Sequence, residues 1–277
     1  MKSVWKGAHI ALIVVCTAVF LIGGIMLADI LAGYARADKT YEDINDGFET
    51  LGTIESEGEI EEPDESTEPL VTEVKGLDEA MQSQYDYLMQ LKATYPDVVG
   101  YISIPTLSIN YPVVQTDNND YYLNHLITGQ ESSSGSIFLD YRCDYQASTA
   151  KNTVLYGHNM NNRSMFHNLK LLFTEEVFWN ATVEYITEEG IFIYKPLTLY
   201  RENATYPFWQ PGFGDDEAYL EFCRMVTEKS WYKESASVTY GAESNLITLV
   251  TCTNSVSTKT DRYVYQAVLE RIHLPED

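Results

Sequence analysis

Three side chains in this sequence would make an acyl-transfer site if the fold brought them together: the thiol of Cys252, the imidazole of His158 and the guanidinium of Arg262. A thiolate is the reactive form of cysteine. A free thiol is only a few per cent ionised near neutral pH, so it needs a basic or cationic neighbour. Histidine can take up and return the proton. Arginine offers a rigid, permanently charged fork of donors for an oxyanion. Cys252 ends the run Leu246-Ile247-Thr248-Leu249-Val250-Thr251, which places it at a strand end, fixed yet accessible. A buried structural thiol is the alternative there. His158 follows Asn152-Thr153-Val154-Leu155-Tyr156-Gly157, a second strand running into a turn that Gly157 permits. A hydrogen-bonded structural histidine is the alternative. His125 and His167 lack a strand-to-turn setting, His9 lies in an apolar segment and His273 in the tail. Arg262 opens the strand at 262–269, ten positions after Cys252. Two strands joined by the short loop 253–261 would be neighbours, so Cys252 and Arg262 would face each other across a rim. Most arginines are simply solvated. Placement opposite a thiol is what sets this one apart.

The other cysteines offer no competing chemistry. Cys16, Cys143, Cys223 and Cys252 form no CxxC pair, and no Cys/His pairs sit at zinc spacing. Neither a disulfide framework nor a metal or organic cofactor is expected. The formal charge is −23, and the acid is concentrated: residues 40–74 hold 13 acids and no Lys or Arg. Residues 76–277 carry 13 Lys plus Arg against 26 Asp plus Glu. That balance argues against nucleic acid as a partner and against a body lying flat on anionic lipid.

The elements that must position the three residues follow from pattern. Residues 8–28, AHIALIVVCTAVFLIGGIMLA, hold no acid, Lys or Arg and are long enough to span a bilayer. Lys2 and Lys6 before them favour a cytoplasmic N-terminus at 1–7, against Arg36 and Lys39 on the other side. A cleaved secretory signal is the alternative, since Ala35-Arg36-Ala37 resembles a cleavage site. Residues 29–76 read as an acidic, solvated extracellular stalk, with no calcium-loop spacing. Between Leu77 and Tyr95, Leu77, Met81, Tyr85, Leu88 and Leu91 recur at three and four, an amphipathic helix that Pro96 stops. Period-two and short apolar runs follow: VVGYISI, YPVVQ, GSIFLDY, NTVLYGH, ATVEYIT, GIFIYKPLTLY, SVTYG, NLITLVTC and RYVYQAVLE. Many short strands of this kind indicate a barrel or a sandwich. One helix interrupts them at 215–227, with Ala218, Phe222, Met225 and Val226 expected to face the barrel and Cys223 beside that stripe as a buried small residue.

At the three chemical positions the sequence resembles the sortases, class B in particular. The matching pieces are NTVLYGHNM around the histidine, TLVTCT around the cysteine and RYVYQAVL around the arginine, with VVGYISIPTLSINYPVVQ, DNNDYYLNH, GSIFLDYR and the SMFHNL run in the same order. The resemblance covers roughly 77–269. It implies a mainly β fold: a closed eight-stranded barrel with an N-terminal helix, a helix inserted before the last strands, and one transmembrane helix in front. The catalytic domain would run from 77 to 277. The resemblance also implies a single-pass membrane enzyme with its catalytic domain on the outer face of a Gram-positive-type cell. Such an enzyme cuts a C-terminal sorting signal of secreted proteins after Thr and passes the acyl group to an amine on a cell-wall precursor or a pilin.

By position, Asn119 and Leu123 match groove residues of the family, Tyr206 more loosely, and Val250 and Thr251 precede the nucleophile on the substrate side. The sequence departs from the family pattern near Tyr206, with Pro207, Trp209 and Pro211, and at Val250, where many members carry Ser. Tyr265 stands where a small aliphatic residue is more usual. Two other classes compete. A cysteine protease would use water in place of the amine, but papain-like enzymes place Cys before His, the reverse of this order. A non-enzymatic surface module would explain the apolar segment and the 21 tyrosines, but not thiol, imidazole and guanidinium at strand ends.

Overall fold

The computed structural model describes residues 2–49, 51, 70–253 and 260–276. It opens with one continuous helix, α1 (Lys2–Glu49). The helix is long and apolar enough to cross a membrane, and its side chains between Leu12 and Leu31 are exposed. A bilayer core needs about 20 helical residues, so α1 runs well beyond the apolar span of 8–28. Its second half corrects the expectation of a solvated stalk. Gly33, Ala37, Tyr41, Ile44 and Phe48 are buried. Their spacing of four, four, three and four lines one helix face. Phe48 stacks on Tyr101 with ring centroids 4.0 Å apart. Tyr87 donates to the carbonyl of Ile44 at 2.8 Å. The acids occupy the opposite face, so counting charge along the segment hid the stripe. The rest of the expected stalk, 52–69, lies outside the described residues.

The body also begins earlier than residue 77. Strand β1 (Thr72–Lys75) pairs in parallel with the C-terminal end of β9 (Asp261–Leu274). Helix α2 (Glu79–Thr94) follows, capped by the Asp78 carboxylate, which accepts from Met81 N at 2.8 Å. It stops before Pro96 as the sequence suggests.

Seven further strands complete the sheet: β2 (Val98–Ile104), β3 (Ile109–Val114), β4 (Ile137–Leu139), β5 (Asn152–Tyr156), β6 (Val183–Thr187), β7 (Gly190–Asn203) and β8 (Leu246–Cys252). Hydrogen bonds link them in the order β1-β9-β7-β6-β2-β3-β4-β5-β8, and β8 pairs again with β9. The sheet is therefore a closed eight-stranded barrel, β2 to β9, with β1 added on the free edge of β9. Closure removes edges and fills the interior with side chains. The run 237–241 forms no strand. Ser237 ends a short 3-10 turn, and β8, the strand that follows, already has β5 on one side and β9 on the other.

Between β5 and β6 lie a 3-10 segment (Phe166–Phe173) and the short helix α3 (Glu175–Trp179). The inserted helix is α4 (Asp216–Glu228), capped by Asp215, whose carboxylate accepts from Ala218 N at 2.9 Å. Its buried face differs from the expected one. Tyr219, Phe222, Cys223, Val226 and Thr227 are buried, Met225 is half-buried, and Ala218 is exposed. The larger Tyr219 and Cys223 extend the Phe222–Val226 stripe better than Ala218 does, and Cys223 is fully buried.

Candidate active site

The register of the barrel decides what meets at its rim. Strands β5 and β8 run parallel with Tyr156 beside Val250, and Gly157 N donates to the carbonyl of Val250 at 3.2 Å. Two residues further along each chain stand His158 and Cys252, at the same level of the rim. Strands β8 and β9 are antiparallel, and Cys252 is the register partner of Arg262. The thiol thus ends a strand flanked by the imidazole on one side and the guanidinium on the other. Neighbouring strands are about 4.8 Å apart, so each flank is within side-chain reach. All three residues are half-buried. They line one cavity of about 470 Å³.

Gly157 serves this geometry by close packing and not by an unusual turn. It has no positive φ, but a Cβ there would lie 2.4 Å from Ile137 Cδ1 and 2.7 Å from the Phe166 ring. Within the site, the Nε2 of His158 lies 2.8 Å from the carbonyl oxygen of Leu123. A carbonyl only accepts, so Nε2 carries a proton and donates it. The proton that comes and goes in acid–base chemistry is then the one on Nδ1. Asn159 Nδ2 donates to the carbonyl of Cys252 at 2.9 Å, tying the turn after β5 to the end of β8.

The carboxylates on the strands around Arg262 each have a cationic partner among the described residues. The Asp261 carboxylate accepts from Arg201 Nε at 2.8 Å, Glu270 is paired with Lys195, and Glu202, the register partner of Arg262 on β7, is paired with Lys229 at 2.7 Å. Arg262 donates from its NH1 to the Asp261 carbonyl at 3.0 Å. The loop expected at 253–261 is described only at its ends, where Thr253 N donates to the Asp261 carbonyl at 3.3 Å.

Two of the remaining thiols, Cys143 and Cys223, are chemically quiet. Burial pushes Cys143 up to about 12 and Cys223 up to about 11. Both stay protonated at neutral pH and sit in the core. Among the described residues no group of His, Cys, Asp and Glu could hold a metal ion.

Asn119, Leu123, Val250 and Thr251 stand in the cavity wall. Tyr206 is not part of it. Its ring lies under the Lys229 ammonium, 4.3 Å from the centroid, and the next two non-proline residues, Phe208 and Trp209, form the wall instead. Pro207 turns the chain between them. The Asn119 carboxamide is largely committed: its Nδ2 donates to Asp140 at 3.0 Å, and its Oδ1 accepts from Tyr141 N at 3.0 Å. Asp140 is fully buried and also accepts from Tyr156 OH at 2.9 Å and Arg142 Nε at 2.8 Å. Burial would raise its carboxyl, but the hydrogen bonds from Arg142, Asn119 and Tyr156 outweigh it and hold it below the usual carboxylate range. The Arg142 guanidinium in turn lies 4.0 Å over the Trp209 ring.

Sequence reasoning missed this network. One signal for it existed. Tyr156 ends the apolar run that leads into His158.

The comparisons with known proteins agree with this geometry. A family model described as a sortase domain matches residues 102–270. The chain belongs to the sortase family. Sortase B of Listeria monocytogenes is 30% identical over 186 residues, 66% of this chain and 74% of that protein. Sortase B of Staphylococcus aureus is 27% identical over 195 residues, 70% and 78% of the two chains. Among solved structures, sortase B of Clostridium perfringens aligns with a TM-score of 0.60 at 30% identity, covering 65% of this chain and 98% of its own. A Staphylococcus aureus sortase B–substrate complex aligns at 0.61 with 26% identity, covering 67% and 85%. This sortase is therefore of class B, a cysteine transpeptidase built on a closed eight-stranded barrel. The matched region holds His158, Cys252 and Arg262. The docked half of α1 precedes it.

Proposed function

We propose that this sortase cleaves a C-terminal sorting signal of secreted proteins after Thr and transfers the acyl group to an amine on a cell-wall precursor or a pilin. The Cys252 thiolate attacks the Thr carbonyl carbon. Arg262 and a backbone N–H near Cys252 stabilise the oxyanion. The C–N bond then breaks, and His158 gives its proton to the leaving amine. The product is a thioester on Cys252. An incoming amine attacks that carbonyl, His158 takes its proton, and the C–S bond breaks to restore the thiolate. Water in place of the amine gives the free acid as a side reaction. Asn119, Leu123, Val250 and Thr251 form the groove wall for the signal. Residues 1–7 lie in the cytoplasm, 8–28 anchor the chain in the cell membrane, and the catalytic domain stands on the outer face.

The observation that carries this reading is Cys252 at the end of β8, with His158 beyond β5 on one side and Arg262 opening β9 on the other, in one cavity. Peptides copying the C-terminal tails of proteins secreted by the same cell supply the test. With hydroxylamine as acceptor, a Thr hydroxamate is expected by mass spectrometry with the wild-type enzyme and none with Cys252→Ala. A hydroxamate formed by Cys252→Ala, or cleavage at a residue other than Thr, contradicts the proposal.

A further inference from the structure

Helix α1 touches both segments that hold His158. The first is the stretch from the 3-10 turn Tyr121–Leu123 to Ser136, which carries the carbonyl that accepts from His158. Gly135 is pressed against that carbonyl: its φ is +57°, and a Cβ there would lie 2.7 Å from Leu123 O and 2.4 Å from Tyr122 O. Tyr41, buried on α1, has its hydroxyl 3.0 Å from the Gly135 carbonyl and 2.8 Å from the Ser136 hydroxyl, and its one proton is shared between these two acceptors. Ser136 passes the contact on, its Oγ donating to the His125 carbonyl at 2.9 Å and its N to the Tyr122 carbonyl at 3.0 Å.

The second segment is the turn after His158. Phe166 N donates to the His158 carbonyl at 2.9 Å, and the preceding Met165 N donates to the Tyr111 hydroxyl at 2.9 Å. The edge of the Tyr41 ring meets the Tyr111 ring, centroids 5.4 Å apart. Asn162 in the same turn donates to the Asp38 carboxylate at 2.8 Å. One tyrosine on the helix therefore stands behind both supports of the imidazole.

We infer that Tyr41 is a positioning residue for His158, so that docking of the membrane-proximal half of α1 sets the orientation of the imidazole and couples anchoring to turnover. This rests on the assignment of His158 as the proton-transfer group. Its logic is geometric. Proton transfer falls off steeply with misplacement, and about an ångström of error can cost on the order of a hundredfold in rate. The Leu123 carbonyl fixes which nitrogen is protonated and where the ring points. Tyr41 holds the loop that keeps that carbonyl in place; that loop also brings Leu123 to the groove wall, while Val250, Thr251 and Trp209 come from other elements. Loss of the hydroxyl should therefore slow turnover much more than it weakens peptide binding.

The test uses the full chain in lipid nanodiscs and the best-turned-over peptide from the hydroxylamine assay. Tyr41→Phe keeps the buried ring and removes only the oxygen. We expect kcat about tenfold lower, KM within about twofold of wild type, and a melting temperature close to wild type. Ser136→Ala should lower kcat in the same way, and the double variant should be no slower than the slower single one, because both act through one contact. An unchanged kcat in Tyr41→Phe overturns the inference. So does a kcat loss that comes with a raised KM or a collapsed melting temperature, or a double variant whose losses multiply. His158→Ala in the same nanodiscs separates the two assignments: wild-type turnover there overturns the role of His158 itself, whatever Tyr41→Phe does.

Discussion

At the scale of single residues, the question is what a guanidinium does at the mouth of β9. Arg262 is the register partner of Cys252 and lines the same cavity, and a role toward substrate fits that place. Lysine keeps the charge but not the planar fork. Arg262→Lys and Arg262→Ala should both lower kcat about a hundredfold, the size of loss seen when an oxyanion donor is removed. Their melting temperatures should stay near wild type, since half-exposed surface charges contribute little stability. Near-normal turnover in Arg262→Lys, measured with the same peptide, contradicts the assignment.

At the scale of elements, closure of the barrel explains both the order of the site and one of its costs. A strand in the middle of a closed sheet has partners on both sides, and every residue of β6 is buried. Glu184 sits there opposite Ser103 of β2 and Ile193 of β7. Burial raises its carboxyl to about 7, only partly offset by a hydrogen bond from Ser103. An acid raised on folding binds more protons folded than unfolded across the window between its unfolded and folded values. Stability is then complete below that window, near pH 4, and is lost as pH rises through about 7. Glu184→Gln removes the ionisable group. It should unfold at higher urea concentration than wild type at pH 8, by on the order of 2 kcal/mol, and should lose that advantage at pH 5. Equal urea midpoints at pH 8 contradict the assignment of this cost to Glu184.

For the whole molecule, the long helix and the barrel act as one unit. The apolar half of α1 is exposed along its length, and the half beyond it is packed on the barrel through Ala37, Tyr41, Ile44 and Phe48. With the apolar half in a bilayer, as proposed, a domain held this way stands at a set distance and orientation from it. With the catalytic domain on the outer face, as proposed, the rim that carries Cys252 is reached from outside the cell. A membrane-impermeant maleimide applied to intact cells should then label Cys252, and the label should disappear in Cys252→Ala. Cys143 and Cys223 are buried and protonated and should not react. Labelling that needs lysed cells would reverse the orientation.

The sequence by itself determined the chemistry and most of the strands. Thiol, imidazole and guanidinium each stand where an apolar run meets a turn, and the runs at 98–104, 152–156 and 246–252 became β2, β5 and β8 with little change. The short connection between Cys252 and Arg262 also makes them neighbours through local chain connectivity alone. Only the tertiary structure decided the rest. His158 reaches Cys252 because β5 and β8 pair in parallel, a long-range pairing that no local period encodes. Trp209 replaces Tyr206 in the groove wall because of how the segment after β7 folds back. The acidic stretch after the apolar span reads as solvated because charge dominates its composition, yet its stripe of Tyr41, Ile44 and Phe48 finds a barrel to pack on. Whether an amphipathic face is buried depends on a complementary surface, and that surface is assembled from strands distant in the chain.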